Sequence, residues 1–395
     1  MSEPGRLRET AGAFLVLGLT SFGGPIAHLA NFRRELVGRR RWLEDEDFSG
    51  MVALAQLLPG PTSSQVAFGL GFRRAGFLGA VAAAVAFMLP SAAVMVALGY
   101  GVAALGDVGD SGWLHGLRLA AVATVARAVW GMAATLCPDG IRRSLALLAA
   151  ALLLWLPGTP VQVGIILACG LVGVLLFRDP GSAAGPPPPP ARAHGVAAAA
   201  LVAFVLLLVL LPLAARHSGS RALQVFDSFY RSGALVFGGG HVVLPLLRAA
   251  VVPRGWLGDA VFLSGYGAVQ AMPGPLFTFA GFLGTAMAPG PAAWRLGAVA
   301  LAAIFLPGFL LMGGAYPFYA ALRARPWLRG AVAGANAAVV GILLAALVSP
   351  LGAENLRTAV DVGTVAVGIA LLAIPRFPPW ALVLLLALAG AWLPR

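Results

Sequence analysis

Apolar segments of roughly 17–25 residues recur along the whole of this 395-residue chain. That is the length of helix needed to cross the hydrocarbon core of a bilayer. Only 11% of the residues are charged and 59% are hydrophobic, against about 25% charged in an ordinary soluble domain. The expected fold class is an all-α polytopic membrane protein, with the lipid bilayer as its first partner.

Hydropathy marks thirteen candidate spans, near 11–32, 49–70, 76–105, 114–136, 144–157, 161–177, 195–215, 223–250, 262–286, 293–320, 327–349, 359–374 and 379–393. The short pairs at 144–177 and 359–393 also fit thin, tilted hairpins. One linker stands out, "RDPGSAAGPPPPPARAHG" at 178–195. Its five consecutive prolines favour extended polyproline backbone, which belongs in water.

The linker separates two halves that repeat each other. Phe22-Gly23-Gly24 matches Phe237-Gly238-Gly239. Trp42-Leu43, Asp45 and Phe48 match Trp256-Leu257, Asp259 and Phe262 in the same spacing. Each copy then reaches a glutamine, Gln56 or Gln270, and a Pro-Gly-Pro, with Ser64 and Thr278 in equivalent places after it. Leu89-Pro90 matches Leu306-Pro307, and Leu117-Arg118 matches Leu328-Arg329. The chain thus reads as a first repeat over 1–178, a proline-rich linker over 179–194, a connector membrane segment over 195–215 and a second repeat over 216–395, with about six membrane segments in each repeat. Six crossings return the chain to its starting side, and the connector adds one more. The repeats are therefore expected to be inverted, as in many secondary transporters.

The formal net charge of +12 comes from arginine alone, since the sequence has no lysine. The arginines lie mostly in short connections, where cytoplasmic-loop bias and lipid headgroups account for them; no nucleic-acid motif accompanies them. Arg33, Arg34, Arg39, Arg40 and Arg41 crowd the first connection, while Arg6 and Arg8 precede the first span. A simple crossing separates these two groups; a segment that dips in and returns puts both in the cytoplasm. Sequence leaves both open. Cys137 and Cys169 are far apart and lack metal-ligand spacing, so neither a metal nor a cofactor is expected. "MSEPGRLRET" leads into the first helix without a small-residue cleavage site.

The stretch "AQLLPGPTSSQ" places helix breakers and polar side chains inside an apolar span. Irregular backbone survives at membrane depth only when buried in protein or lining a polar cavity. Pro59-Gly60-Pro61 is expected to end one half-helix and begin another, with Pro61 near the first turn of the second. The new N-terminus presents free N–H groups and a positive dipole end beside Thr62, Ser63, Ser64 and Gln65, a setting that suits an anion. Pro273-Gly274-Pro275 with Thr278 offers a poorer copy. The alternative, a helix kinked for packing alone, is weakened by the duplication. The Phe-Gly-Gly pairs allow close backbone approach and point with Gln56 and Gln270 to a substrate site near the midplane. Arg127 lies mid-span as a substrate or counter-ion contact, against snorkelling or bonding to carbonyls. His28, His241 and Asp227 are proton-coupling candidates, weighed against structural histidines and a local Asp227–Arg231 ion pair. Trp42 and Trp256 read as interfacial anchors.

The motifs "FGGPIAHLA", "RRWLEDEDF", "AQLLPGPTSSQVA", "FGGGHVVLPLL" and "VQAMPGPLFTFAGFLG" resemble those of the chromate ion transporter family in its long two-domain form. The resemblance covers roughly 11–135 and 223–349. It implies a multi-pass carrier of the bacterial inner membrane that exports chromate, with related oxyanions such as sulfate as further substrates. It also implies chromate resistance and proton coupling, hence an antiporter. A homodimer stays open. From the residues alone the reading is an inverted-repeat anion carrier, not an enzyme. An anion channel is the alternative in mechanism, and a membrane enzyme acting on lipid-linked phosphate is the alternative from another class. The chain's 15 acidic residues lie mostly in loops, without the clustered acid, histidine or cysteine groups an enzyme needs.

Overall fold

The computed structural model describes residues 3–105, 112–177, 193–237, 240–288, 290–318, 325–374 and 377–391, and every regular element among them is helical. The first half contains α1 (Glu3–Thr20), α2 (Gly24–Phe32), α3 (Asp45–Leu57), α4 (Thr62–Leu105), α5 (Gly112–Leu136), α6 (Gly140–Trp155) and α7 (Thr159–Leu176). After the linker come α8 (Ala193–His217), α9 (Arg221–Ala234), α10 (Val243–Val251), α11 (Asp259–Val269), α12 (Phe279–Ala286), α13 (Ala293–Ala315), α14 (Pro326–Ala346), α15 (Ala359–Ala373) and α16 (Pro379–Gly390). Among the described residues five stretches are long and apolar enough to cross a membrane: Thr62–Ala104, Gly112–Leu136, Gly195–His217, Ala293–Phe318 and Pro326–Ser349. The linker prolines lie outside the described residues.

The hydropathy spans 11–32, 49–70, 223–250 and 262–286 are each divided into two elements. Backbone geometry gives the reason. Gly23 and Gly24 have φ of 93° and 82°, Gly60 123° and Gly274 93°, torsions a right-handed helix cannot include and that glycine adopts at least cost. Pro61 stands just ahead of α4 rather than inside its first turn. Pro90 and Pro307, by contrast, ride inside α4 and α13 without ending them. What turns α4 is Ala75-Gly76, where φ is −145° and 65°, so α4 has a short first arm over 62–74 and a long second arm over 77–105.

Ion pairs show where the ends of these pieces lie. Glu9 in α1 bonds Arg74, at the end of the first arm of α4, at 2.9 Å, and stands 3.6 Å from Arg40 in the connection after α2. The start of α1, the 40–44 connection and the end of the first arm therefore meet. Arg33–Asp45 at 2.5 Å and Arg73–Asp47 at 2.5 Å extend the same rim. Each broken pair, α1–α2 and α3 with the first arm of α4, is thus a hairpin that goes out and returns, with its break at the tip. The second half repeats the pattern: Arg221 at the start of α9 and Arg254 in the connection after α10 both lie against the ring of Trp256, at 4.2 and 4.8 Å.

The remaining helices pack through small residues. A Cβ on Gly334 in α14 would sit 1.9 Å from the Cys169 carbonyl oxygen of α7, and one on Gly341 2.1 Å from that of Ala146 in α6. Such close backbone approach is how apolar helices gain van der Waals contact where the hydrophobic effect is absent. Gly334→Val is expected to abolish folded protein, whereas Gly363→Val in α15, where no atom lies within 4 Å, should leave yield unchanged; fluorescence-detected size exclusion in detergent reads both.

Candidate functional site

The four breaks meet. The Gly60 N–H donates to the Val236 carbonyl at 2.7 Å, and the Gly274 N–H donates to the Ser21 carbonyl at 2.8 Å. Val236 and Ser21 each precede the phenylalanine of a Phe-Gly-Gly, Phe237 and Phe22. One bond is therefore made twice, with the halves exchanged. The contacts around it exchange as well. A Cβ on Gly60 would lie 3.0 Å from Gly308 Cα, and one on Gly274 2.9 Å from Ser91 Oγ. Gly308 follows Pro307 and Ser91 follows Pro90, so the matched Leu-Pro pairs sit beside the opposite half's Pro-Gly-Pro.

In the first half the Gln65 N–H closes onto the Pro61 carbonyl at 2.9 Å, and the amides of Thr62, Ser63 and Ser64 precede that first bond of the helix. Thr62 is half-buried, while Ser63, Ser64 and Gln65 are buried. Gln65 Nε2 donates to the carbonyls of Pro59 at 2.9 Å and Gly308 at 3.3 Å, tying the tip to α13. His28 Nδ1 lies 3.2 Å from Ser63 Oγ. Ser64 Oγ, Gln65 Oε1 and His28 Nε2 have no hydrogen-bond partner among the described residues. A buried polar atom left so costs about 1–3 kcal/mol, and here such atoms gather at one helix start.

The second half is more self-satisfied. Thr278 gives its hydroxyl proton to the Pro275 carbonyl at 2.9 Å and its amide to the same oxygen at 3.0 Å. The donor expected for substrate is spent within the Leu276–Thr278 turn. His241 Nδ1 meets Tyr266 Oη at 2.8 Å, and the Gln270 amide lies one turn further on, beside the same phenol. Ser91 and Tyr266 went unnoticed in the sequence; their signals are the residue after Pro90 and a tyrosine four before Gln270 on the same helix face.

The other sequence candidates fall elsewhere or at the edge. Gln56 is exposed in a groove of about 300 Å³ between α2 and α3, whose outer end is lined by Arg33. Phe22 is partly exposed, Pro273 is half-buried and Pro275 buried; Gly238 and Gly239 lie outside the described residues. Asp227 is buried and paired through both oxygens with Arg231, its neighbour one turn on, as the local ion-pair reading has it. Arg127 is exposed on α5 and makes no ion pair among the described residues. Cys137 and Cys169 are buried free thiols, and no group of three metal-ligating side chains occurs among the described residues.

Helices long and apolar enough to span a bilayer, carrying two copies of a unit whose broken segments converge on buried polar atoms, define a multi-pass membrane transport protein. The chain belongs to the chromate transporter family, whose model matches residues 8–174 and 223–391. The two matches fall on the two halves and omit the linker and α8. A chromate transport protein of Pseudomonas aeruginosa is 33% identical over 84% of this chain and 77% of that one. A probable chromate transport protein of Synechococcus elongatus is 30% identical over 92% of this chain and 88% of its own, and a chromate transport protein of Cupriavidus metallidurans is 30% identical over 87% and 82%. The family is one of transport proteins and not of enzymes. No solved structure matches the chain.

Because Gly60 and Gly274 hold one exchanged pair of bonds, their substitutions should couple. Gly60→Ala and Gly274→Ala are each expected to lower stability by about 1–3 kcal/mol, from positive φ and from a Cβ crowded against Gly308 or Ser91. The double variant should depart from additivity by at least about 0.5 kcal/mol. Unfolding in mixed micelles measures the cycle.

Proposed function

We propose that this protein exports chromate, and related tetrahedral oxyanions such as sulfate, across the bacterial inner membrane, and so confers chromate resistance. The observation that carries the site is the pair of exchanged bonds, Gly60 to Val236 and Gly274 to Ser21, together with the unpartnered Ser64 Oγ and His28 Nε2 beside the start of α4. Bare amides and a hydroxyl at a helix N-terminus replace the hydration that an oxyanion leaves behind. Phe22, Gly23, Gly24, Gln56, Phe237 and Gln270 then form the walls, and the second Pro-Gly-Pro supplies shape more than donors.

The thirteen membrane segments divide, in this reading, into four hairpins that enter and return and nine crossings: the second arm of α4, α5 to α8, and α13 to α16. The first half contributes four crossings and α8 one, so the halves are inverted and the termini face opposite sides. Contacts between distant segments support the count. Tyr100 near the end of α4 bonds the Pro291 carbonyl just before α13, His115 in α5 meets Asp361 at the start of α15 at 2.7 Å, and Gly173 near the end of α7 packs on Gly330 near the start of α14. The side that then holds Arg6, Arg8, Arg39, Arg40, Arg73, Arg74, Arg142, Arg143 and the linker carries the larger share of arginine, which makes it cytoplasmic. The groove from Arg33 to Gln56 opens on that side and serves as the entry.

Direction follows from charge. A cell negative inside drives an anion outward by about 2.3 kcal/mol per charge per 100 mV, about 4.6 kcal/mol for a dianion, more than a thousandfold in concentration. Inward movement of a proton on His28, hydrogen-bonded to Ser63, or His241, hydrogen-bonded to Tyr266, makes the cycle an antiport and adds to that force.

The test is chromate flux into liposomes carrying inside-out oriented protein, with and without a pH gradient and with the potential clamped. Ser64→Ala should weaken apparent affinity about tenfold or more, since a hydrogen bond to a charged group contributes roughly 1.5–3 kcal/mol. Thr278→Val should change affinity little, because that hydroxyl's proton is already given to Pro275. Equal affinity in the parent and Ser64→Ala, with folding intact, contradicts the assignment of the site.

A further inference from the structure

The two halves differ at a place where their sequences match. In the first half the ring of Trp42 has Arg40 and Arg74 against it, at 5.6 and 4.9 Å. The Glu9 carboxylate joins the two guanidiniums, at 3.6 Å from Arg40 and 2.9 Å from Arg74, and Glu35 pairs with Arg40 as well, at 2.7 Å. In the second half Arg254 and Arg221 take the corresponding places against Trp256, at 4.8 and 4.2 Å. Arg254 precedes its tryptophan by two residues as Arg40 does, but the position of Glu9, 13 residues before Phe22, is held by Gln224, 13 before Phe237.

A neutral amide cannot offset two guanidiniums. Among the described residues neither Arg221 nor Arg254 makes an ion pair, and the nearby carboxylate of Asp227 is engaged through both oxygens by Arg231. Arg254 is held inward by a hydrogen bond to Ser228 Oγ. Three cations therefore share one carboxylate, and the like charges of Arg221 and Arg254 are held on one indole. Both side chains are exposed at the rim, within reach of solvent and of headgroups.

We propose that Arg221 and Arg254, clasping Trp256, form an anion site for a phosphate-like oxyanion group, which takes the place that the Glu9 carboxylate fills in the first half. The group is either the phosphate of an anionic lipid headgroup or a free tetrahedral oxyanion; the chemistry of recognition, planar guanidinium forks on oxygen, is the same for both. The site is separate from the breaks and does not rest on the transport reading.

The experiment is thermal unfolding of the purified full chain in neutral detergent. Sodium sulfate is compared with sodium chloride at equal ionic strength, and phosphatidylglycerol with phosphatidylcholine at equal lipid. The variants are Arg254→Gln and Gln224→Glu, the second of which supplies the missing carboxylate. In the parent, sulfate or phosphatidylglycerol should raise the melting temperature by about 2–4 °C beyond its control. A response to sulfate assigns a free oxyanion; a response to phosphatidylglycerol alone assigns a headgroup. Gln224→Glu should melt higher than the parent without added anion, and both Gln224→Glu and Arg254→Gln should lose the rim's share of that response. Sulfate held at the breaks raises the parent and Gln224→Glu equally, so their difference isolates the rim. No specific response in the parent, or an equal response in the parent and Gln224→Glu, overturns the proposal.

Discussion

A backbone group at membrane depth has no water to fall back on, and this constraint organises the protein. Each broken segment exposes N–H and C=O groups that a continuous helix would have paired, at several kcal/mol for each one left alone in hydrocarbon. The exchanged bonds from Gly60 to Val236 and from Gly274 to Ser21 pair some of these groups across the two halves. Neither half can do so by itself. Each copy supplies the acceptor for the other's donor.

Within that shared frame the two halves have diverged. The first tip carries Ser63, Ser64 and Gln65 and leaves Ser64 Oγ and Gln65 Oε1 without partners. The second closes its turn with Thr278 on Pro275 and pairs His241 with Tyr266. One tip therefore leaves buried polar atoms open, and the other satisfies its own. The rims differ in the opposite sense: Glu9 completes the first arginine and tryptophan cluster, and the second has no such carboxylate among the described residues.

Much of this was legible in the sequence because helix breakers and repeats leave local marks. The spacing from Trp42 to Pro59 and from Trp256 to Pro273, with the glycine pairs ahead of them, identified the breaks and the duplication. Hydropathy could not tell a hairpin from a crossing, since α1 with α2 is as apolar along its length as a single span. That distinction rests on ion pairs such as Glu9–Arg74, 65 residues apart in the chain, and no local pattern carries them. Arg127 shows the limit in another way. Mid-span position suggested a substrate contact, but the face of a helix is set by what packs around it, and α5 turns Arg127 outward. Ser91 was invisible for the same reason, being brought to Gly274 by the turn at Ala75-Gly76 that sends the second arm of α4 back along the bundle.

If the oxyanion sits where the breaks converge, it should shield the start of α4, and substrate protection at Thr62 reads this. In a background with Cys137→Ala and Cys169→Ala, Thr62→Cys places one half-buried thiol at the start of α4. Its rate of modification by a small thiol reagent, in protein that still transports, should fall in the presence of sulfate or chromate, with half-protection near the apparent affinity for transport. A rate that stays unchanged at saturating oxyanion contradicts the account.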